Sequence, residues 1–131
     1  MKFADTDGWF ALFVEEDFNH ASAMSWYSKQ RQPLFTTNYV VDETLTLLRS
    51  RGQGIVALAV GRQFFDNALA TVYSLTEDDV YAAWLVFARY ADKEWSFTDC
   101  TSKVIMEKLG ITEAFAFDHH FRQFGTIMLV P

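Results

Sequence analysis

Cysteine and proline are scarce in this chain of 131 residues, which has one cysteine, Cys100, and two prolines. A single cysteine excludes an internal disulfide framework and a thiolate zinc cage, so we expect a reducing, intracellular compartment. The chain also lacks internal repeats, low-complexity tracts and a convincing linker, since the glycines at positions 52 and 54 indicate only a turn. The length is sufficient for one sizeable core and too short for two, which predicts a single domain over residues 1–131.

Long hydrophobic runs and a charged-then-apolar leader are absent as well. No stretch approaches the roughly 20 apolar residues needed to span a bilayer, so we expect a cytoplasmic protein with no membrane contact. Basic residues are outnumbered, with 11 Lys and Arg against 17 Asp and Glu and a formal net charge of −6. This balance argues against non-specific electrostatic binding of nucleic acid and favours a site that concentrates carboxylates around cations.

Apolar and aromatic residues are abundant, at 50% and 17% of the chain. This exceeds what a core of this size needs, which suggests apolar surface kept for a partner. We expect part of the aromatic set in the first two helices to lie exposed in a groove: Trp9, Phe10, Phe13, Trp26 and Tyr27.

Short apolar or β-branched segments alternate with amphipathic helical patterns along the whole chain. This alternation predicts βαβ units with right-handed crossovers and a mostly parallel sheet of four or five strands. Thr76 and Asp79 have the spacing of a capping box, and the helix after them is predicted to bury Val80, Ala83, Trp84 and Phe87. The predicted strands are Met1–Ala4, Leu34–Thr37, Ala70–Ser74, Ala114–Phe117 and Thr126–Met128.

Acidic residues mark the ends of several of these elements. Asp99 opens a helix and Asp118 ends an apolar strand, and in a parallel sheet both positions lie at the edge where such folds place their sites. Upstream, Asp5 follows the first strand, and Glu43 lies about one turn into the third helix. Any one of these acids, taken alone, is better explained as a structural cap.

The combined pattern resembles the acidic signature of PIN-domain proteins, and most closely the VapC-type toxins of bacterial and archaeal toxin–antitoxin pairs. The resemblance rests on the order of the four acids, on Ser-x-x-Asp at Ser96–Asp99 and on Phe-Asp-x-x-Phe at Phe117–Phe121. It implies a three-layer α/β/α fold with strand order 3-2-1-4-5. It also implies an endoribonuclease, an antitoxin partner and a homodimer formed through the third and fourth helices. The metal ligands that it implies are Asp5, Glu43, Asp99 and Asp118.

Four carboxylates at one edge would repel each other unless a cation offsets their charge. An all-oxygen ligand set suits hard Mg²⁺ or Mn²⁺ better than zinc, and such an ion can activate water against a phosphodiester. Thr6 and Thr98 are candidates to orient ligands or hold phosphate, and Arg49 and Arg51 are candidates to meet the RNA backbone. The sequence does not identify which RNA is cut.

Other residues near these acids are given structural roles. Asp7 is interpreted as a cap of the first helix, and His119 and His120 as surface residues, because hard cations and phosphodiester hydrolysis require neither histidine. Cys100 has no visible histidine partner and is expected to be a small buried residue.

Two other functions remain open at the level of sequence. The opening Asp5-Thr6-Asp7-Gly8 resembles that of haloacid-dehalogenase-like phosphatases, although the later lysine and acid pair of that class have no counterpart here. A catalytically silent PIN-fold interaction module is the second alternative, which the complete set of acids disfavours. Turnover of a phosphate monoester or metal-dependent RNA cleavage would distinguish them.

Overall fold

A five-stranded sheet forms the centre of the computed structural model, which describes residues 1–125 and 127–131. Every pair of neighbouring strands is parallel, and the order is β3-β2-β1-β4-β5, which confirms the predicted order and direction. The predicted last strand began at Thr126, which lies outside the described residues. The strands are β1 Lys2–Ala4, β2 Leu34–Thr37, β3 Thr71–Tyr73, β4 Glu113–Phe115 and β5 Met128–Val130.

Helices cover both faces of this sheet and give the predicted three-layer α/β/α arrangement. Across the described residues, no helix is long and apolar enough to cross a membrane. The helices are α1 Thr6–Phe13, α2 His20–Lys29, α3 Asn38–Ser50, α4 Gly54–Phe65, α5 Glu77–Arg89 and α6 Phe97–Leu109, with a 3-10 helix at His119–Phe124.

The central strand β1 sets the position of the first acid. Phe3 and Ala4 are fully buried, because β1 pairs with β2 on one side and β4 on the other. Directly after the strand, the amide of Asp5 donates a hydrogen bond to the carbonyl of Phe115 at 3.1 Å. The carboxyl ends of β1 and β4 are therefore fixed against each other.

Most of the aromatic residues of the first two helices pack in the core, and among the five Phe10 also lines an open surface depression, so the expected exposed groove is limited to that residue. Trp9 is fully buried, with its ring edge-on to Phe64 at 5.2 Å, and Trp26 stacks on Phe115 at 4.4 Å. Phe10, Phe13 and Tyr27 are half-buried against the same core. Sheet and helices are short here, and wide rings fill the space between them.

Most of the exposed large apolar side chains lie on α4 and α5, and Phe18 in the loop before α2 is 98% exposed. Ile55 and Phe65 of α4 are 87% and 78% exposed. On α5, Trp84 and Phe87 are 51% and 41% exposed, which corrects the prediction that this helix buries them. The helix packs on a narrow stripe at the fully buried Ala83. Trp84, one position on, points outward, whereas Phe87, four positions on, lies on the side of Ala83 and is only partly covered by Phe97.

Two capping boxes define the starts of α5 and α6. In the first, the amide of Asp79 donates to the hydroxyl of Thr76 and the Asp79 carboxylate accepts from the amide of Thr76, as the sequence predicted. Asp79 also accepts from Tyr73 at 2.7 Å and from Lys108 at 2.9 Å. Although burial raises its pKa, the hydrogen bonds from Thr76, Lys108 and Tyr73 together hold the pKa of Asp79 well below its usual range.

Candidate metal centre

The four acids of the sequence pattern line one cleft at the carboxyl edge of the sheet. The cleft has a volume of about 330 Å³. Asp5 follows β1, Glu43 lies in α3, Asp99 lies in the first turn of α6, and Asp118 precedes the 3-10 helix. The structure therefore brings together carboxylates that are up to 113 positions apart in sequence (118 − 5).

Asp5 is the most deeply placed of these acids. Its side chain is buried, and its Oδ1 atom has no hydrogen-bond partner among residues 1–125 and 127–131. Burial raises the pKa of Asp5 well above its usual range, and the nearby charges of Asp7, Asp99 and Glu43 add to the rise. An ionised Asp5 in this position requires a compensating positive charge.

The same surroundings raise the pKa values of Glu43 and Asp99. Burial raises the pKa of Glu43, the charge of Asp99 adds to this, and the neighbouring hydroxyls of Thr6 and Thr98 oppose it. Burial also raises the pKa of Asp99, while its hydrogen bonds with Ser96 and His120 oppose the rise. The cleft therefore concentrates negative charge at a cost in free energy.

Asp99 is both a helix cap and a wall of the cleft. Its carboxylate accepts from the amide of Ser96 at 3.0 Å, while its own amide donates to the Ser96 hydroxyl at 3.0 Å. The sequence presented capping and metal binding as competing interpretations. In the structure the Oδ2 atom of Asp99 accepts the capping hydrogen bond from Ser96, and the Asp99 side chain also lines the cleft.

Asp7 does not cap its own helix, which corrects the interpretation made from sequence. Its Oδ2 atom accepts hydrogen bonds from the amides of Phe117 and Asp118, at 3.1 and 2.5 Å. Burial raises the pKa of Asp7 to about 6, although these two hydrogen bonds oppose the rise. Asp7 thus fixes the backbone that carries the fourth acid of the cleft.

His120 enters the cleft, so the prediction of a surface role is wrong for this residue. Its Nδ1 atom lies 3.2 Å from Asp99 Oδ2 and 3.3 Å from Asp118 Oδ2, and its side chain is only 17% exposed. His119 is 73% exposed, as expected for a surface residue. The missed signal is local: the Asp118 carboxylate accepts from the amide of His120 at 2.9 Å, and this tight turn directs the second histidine inward.

The candidates that the sequence offered for contacts with phosphate or RNA lie partly in the cleft and partly in neighbouring depressions. Thr6 lines the cleft, and Arg51 lies in a depression beside it that also includes Asp7 and Asp118. Arg49 does not line the cleft, since it faces a groove between α3 and α4. Glu94 does line the cleft, and sequence analysis missed it because it lies in a loop without a motif.

The PIN-domain family model matches residues 2–127. This chain belongs to the PIN-domain family. The match covers nearly the whole chain, so the resemblance of Asp5–Gly8 to the haloacid-dehalogenase-like phosphatases is coincidental.

Curated relatives of this PIN domain include two VapC proteins. It is 35% identical over 133 residues to the 23S rRNA-specific endonuclease VapC20 of Mycobacterium tuberculosis, covering 100% of this chain and 99% of the relative. It is 29% identical over 123 residues to a VapC ribonuclease of Archaeoglobus fulgidus, covering 89% and 76%. The match with VapC20 therefore extends over essentially the full length of both proteins.

Solved structures give the same result for the fold of the PIN domain. The crystal structure of M. tuberculosis VapC20, described as a sarcin-ricin loop cleaving toxin, matches with a TM-score of 0.92 at 32% identity over 100% of both chains. FitAcB from Neisseria gonorrhoeae matches with a TM-score of 0.71 at 12% identity, over 100% of this chain and 97% of that one. The second likeness concerns the fold alone.

The residues of the PIN-domain cleft fit a divalent cation. The unpartnered Oδ1 of Asp5 and the raised pKa values of Asp5, Glu43 and Asp99 all indicate missing positive charge. Carboxylate oxygens are ligands for hard cations such as Mg²⁺ and Mn²⁺, whereas a histidine nitrogen is a more typical ligand of Zn²⁺ and other transition metals. Asp118, His119 and His120 each offer a ligand atom within 4.8 Å of the others.

We expect the metal-free PIN domain to become more stable as the pH falls from 7.5 to 4.5. The folded pKa of Asp7, about 6, lies above its ordinary value of 3.8, so below pH 6 the folded state binds more protons than the unfolded chain. The raised pKa values of Asp5, Glu43 and Asp99 act in the same direction. The gain should be on the order of 1–3 kcal/mol, measured by urea unfolding in a chelator.

The matched control for this pH dependence is Asp7→Asn. Its amide oxygen can still accept from the amides of Phe117 and Asp118, but it does not titrate. This variant should show a shallower rise in stability below pH 6 than the parent. A metal-free parent whose free energy of unfolding stays flat or falls over this range would contradict the raised pKa values.

Proposed function

We propose that this PIN domain is a Mg²⁺- or Mn²⁺-dependent endoribonuclease that hydrolyses phosphodiester bonds in RNA. It acts in the cytoplasm as the toxin of a type II toxin–antitoxin pair and folds as one domain over residues 1–131. The observation that carries the proposal is the convergence of four carboxylates on one cleft, with a buried oxygen of Asp5 left without a partner. A binding module without catalysis would have no need for this costly concentration of charge.

The chain's own residues would divide the work as follows. Asp5, Glu43, Asp99 and Asp118 hold the cation, and Asp7 keeps Asp118 in place through two backbone hydrogen bonds. When bound, the cation would stabilise charge developing on the scissile phosphate and lower the pKa of water. Thr6 and Thr98 lie beside Glu43 and oppose the rise that burial causes in its pKa, while His120 contacts both Asp99 and Asp118.

RNA is the substrate class that the relatives support. The name of VapC20 specifies 23S rRNA, and its crystal structure is described as that of a sarcin-ricin loop cleaving toxin. At 35% identity across the whole chain, this makes the sarcin-ricin loop of 23S rRNA the first substrate to test. The net charge of −6 means that the cation and a few local basic groups, such as Arg51, must attract the RNA backbone.

Incubation of the purified protein with a labelled sarcin-ricin hairpin and with an unrelated single-stranded RNA tests this function. We expect cleavage with Mg²⁺ or Mn²⁺, and no cleavage in excess chelator. A small phosphate monoester should remain intact, since the cleft belongs to a nuclease fold. Absence of cleavage with every divalent ion and both RNAs would instead support the silent interaction module.

An antitoxin segment is proposed to dock beside the cleft. A depression of about 430 Å³ there combines apolar side chains, including Phe10, Leu47 and Phe117, with the acidic Asp7, Asp17 and Asp118. Such a surface suits a partner segment that offers apolar and positively charged side chains. A segment bound in this depression would also obstruct the approach of RNA to Asp118.

Pairing with a second copy is proposed to use α3 and α4. The exposed Ile55, Leu58 and Phe65 of α4 lie beside a groove of about 700 Å³ that Leu45 of α3 also lines. Exposed aliphatic and aromatic side chains at this density mark a protein contact surface. Arg49 and Arg62 border the groove, which supports a structural rather than an RNA-binding role for Arg49.

A further inference from the structure

A second small cavity lies next to the cleft, on the α5 side of the molecule. It has a volume of about 250 Å³. We call it the aromatic pocket, and its principal lining residues are Trp84, Phe87, Tyr90, Lys93 and Trp95. Its volume is below the roughly 300–1,000 Å³ of pockets that hold whole small molecules, so it suits a single planar ring system.

The aromatic pocket and the cleft share one wall. Trp95 and Cys100 line the pocket, whereas Glu94, Ser96 and Asp99 line the cleft. Within the segment 94–100, some residues therefore face the aromatic pocket and their neighbours face the cleft. A polymer with its phosphate at Asp99 would need to cross only this segment to place a neighbouring group in the pocket.

The rings of the pocket are arranged for stacking. Trp84 and Phe87 lie 6.2 Å apart with an angle of 28° between their planes, and Tyr90 and Trp95 lie 4.9 Å apart. Trp84 and Phe87 are 51% and 41% exposed, although aromatic side chains of this size normally seek the core. Lys93 also lines the pocket, with its ammonium nitrogen 3.8 Å from a carboxylate oxygen of the exposed Asp92.

Because the protein is acidic, its binding of RNA requires an attraction other than that between phosphates and basic side chains. A net charge of −6 provides little general attraction for phosphates, which ordinarily supply most of the affinity for nucleic acid. Proteins that hold single strands add affinity by stacking bases on aromatic side chains. Sequence-specific contacts to RNA are also made mainly to unpaired bases that can be splayed out of the strand.

We propose that the aromatic pocket takes up one unpaired base of the RNA strand that is cut in the cleft. The base stacks on Trp84 and Phe87, and Lys93 meets an adjacent phosphate. The inference rests on the proposed ribonuclease function and adds to it a determinant of substrate choice. Phe97 extends the aromatic surface toward α3, since its ring lies 5.9 Å from Phe87 and 6.2 Å from Tyr39.

Binding can be measured with a fluorescently labelled single-stranded RNA and Ca²⁺ in place of Mg²⁺, since Ca²⁺ also takes oxygen ligands, under conditions in which the RNA stays intact. We expect Phe87→Leu and Trp84→Leu each to weaken affinity by roughly tenfold, because stacking on one base is lost while apolar bulk remains. Trp84→Phe should retain most of the affinity, since it keeps a ring. The matched control is Phe18→Leu, an aromatic in the loop before α2 that is 98% exposed and lines neither the pocket nor the cleft.

An RNA series with one abasic nucleotide at each position identifies the base. With the parent protein, one position should weaken binding by roughly tenfold. With Phe87→Leu, the same abasic substitution should have no further effect, because ring and base form one interaction. Under Mg²⁺, the Phe87→Leu variant should raise KM and leave kcat near that of the parent.

Several outcomes would overturn the pocket assignment. Phe87→Leu and Trp84→Leu could bind RNA as well as Phe18→Leu, or no abasic position could couple to Phe87. Trp84→Leu could also dissociate a dimer in sedimentation while leaving RNA affinity unchanged, which would assign this face to a second copy. In all three outcomes the parent protein would still cleave RNA. If the ribonuclease function itself were wrong, the parent would show no cleavage that depends on a divalent ion.

Discussion

Replacing Asp99 with Asn should reduce divalent-ion-dependent RNA cleavage by roughly a hundredfold or more. Substitutions in the shell around a metal's ligands already cost about 10- to 100-fold, and a direct ligand should matter at least as much. The amide keeps the shape of the side chain but removes one negative charge from the cleft. Cleavage rates titrated with Mg²⁺ and Mn²⁺ would show lower metal affinity and a lower maximal rate together.

The fold should tolerate the same substitution. An Asn oxygen can accept the hydrogen bond that the amide of Ser96 now donates to Asp99 at 3.0 Å. Because the surroundings raise the pKa of Asp99, its charged form is disfavoured in the metal-free protein. The melting temperature in chelator should therefore stay the same or rise slightly.

Asp79→Asn is the matched control, because Asp79 occupies the same position of the other capping box and lies outside the cleft. Its pKa is lowered, so loss of its charge should destabilise the protein while cleavage of RNA continues. Asp99→Asn should therefore lower activity and spare stability, whereas Asp79→Asn should lower stability and spare activity. An Asp99→Asn protein that cuts as fast as the parent would end the assignment of Asp99 as a metal ligand.

Replacing Gly8 with Ala should give a large loss of stability, roughly 1–3 kcal/mol or more. A Cβ atom at Gly8 would lie 2.5 Å from the carbonyl oxygen of Phe115, which is backbone and cannot rotate away. To make room, the first turn of α1 must separate from β4. Because that turn carries Asp7, which holds Asp118, RNA cleavage should fall as well.

Gly54→Ala provides the comparison for this substitution. Gly54 begins α4, and a Cβ atom there would meet nothing within 4 Å. Alanine in this place should leave stability unchanged or raise it by up to roughly 1 kcal/mol. Equal urea midpoints for the two variants would contradict the close approach between α1 and β4.

Features fixed by neighbouring residues were predictable from the sequence, and those fixed by distant contacts were not. The Thr76–Asp79 capping box and the start of α6 near Asp99 follow from spacings of three residues. The strand order came from resemblance to a family, because short apolar segments do not specify their partners.

The roles of Asp7 and His120 depend on pairings that no local pattern contains. Asp7 bonds to backbone amides about 110 positions away, and His120 reaches Asp99 across 21 positions. Helical spacing also marked Trp84 and Phe87 as apolar but did not identify which side of α5 faces α6. Burial on such a helix is decided by the packing of Ala83, which only the tertiary structure shows.

The hydrogen bonds that the amides of Phe117 and Asp118 donate to Asp7 connect residues 110 and 111 positions apart in the chain. A growing polypeptide that has not reached β4 carries Asp5, Glu43 and Asp99, yet it has neither Asp118 nor the strand that pairs with one side of β1. Translation must therefore reach Asp118 before the cleft of four acids can form.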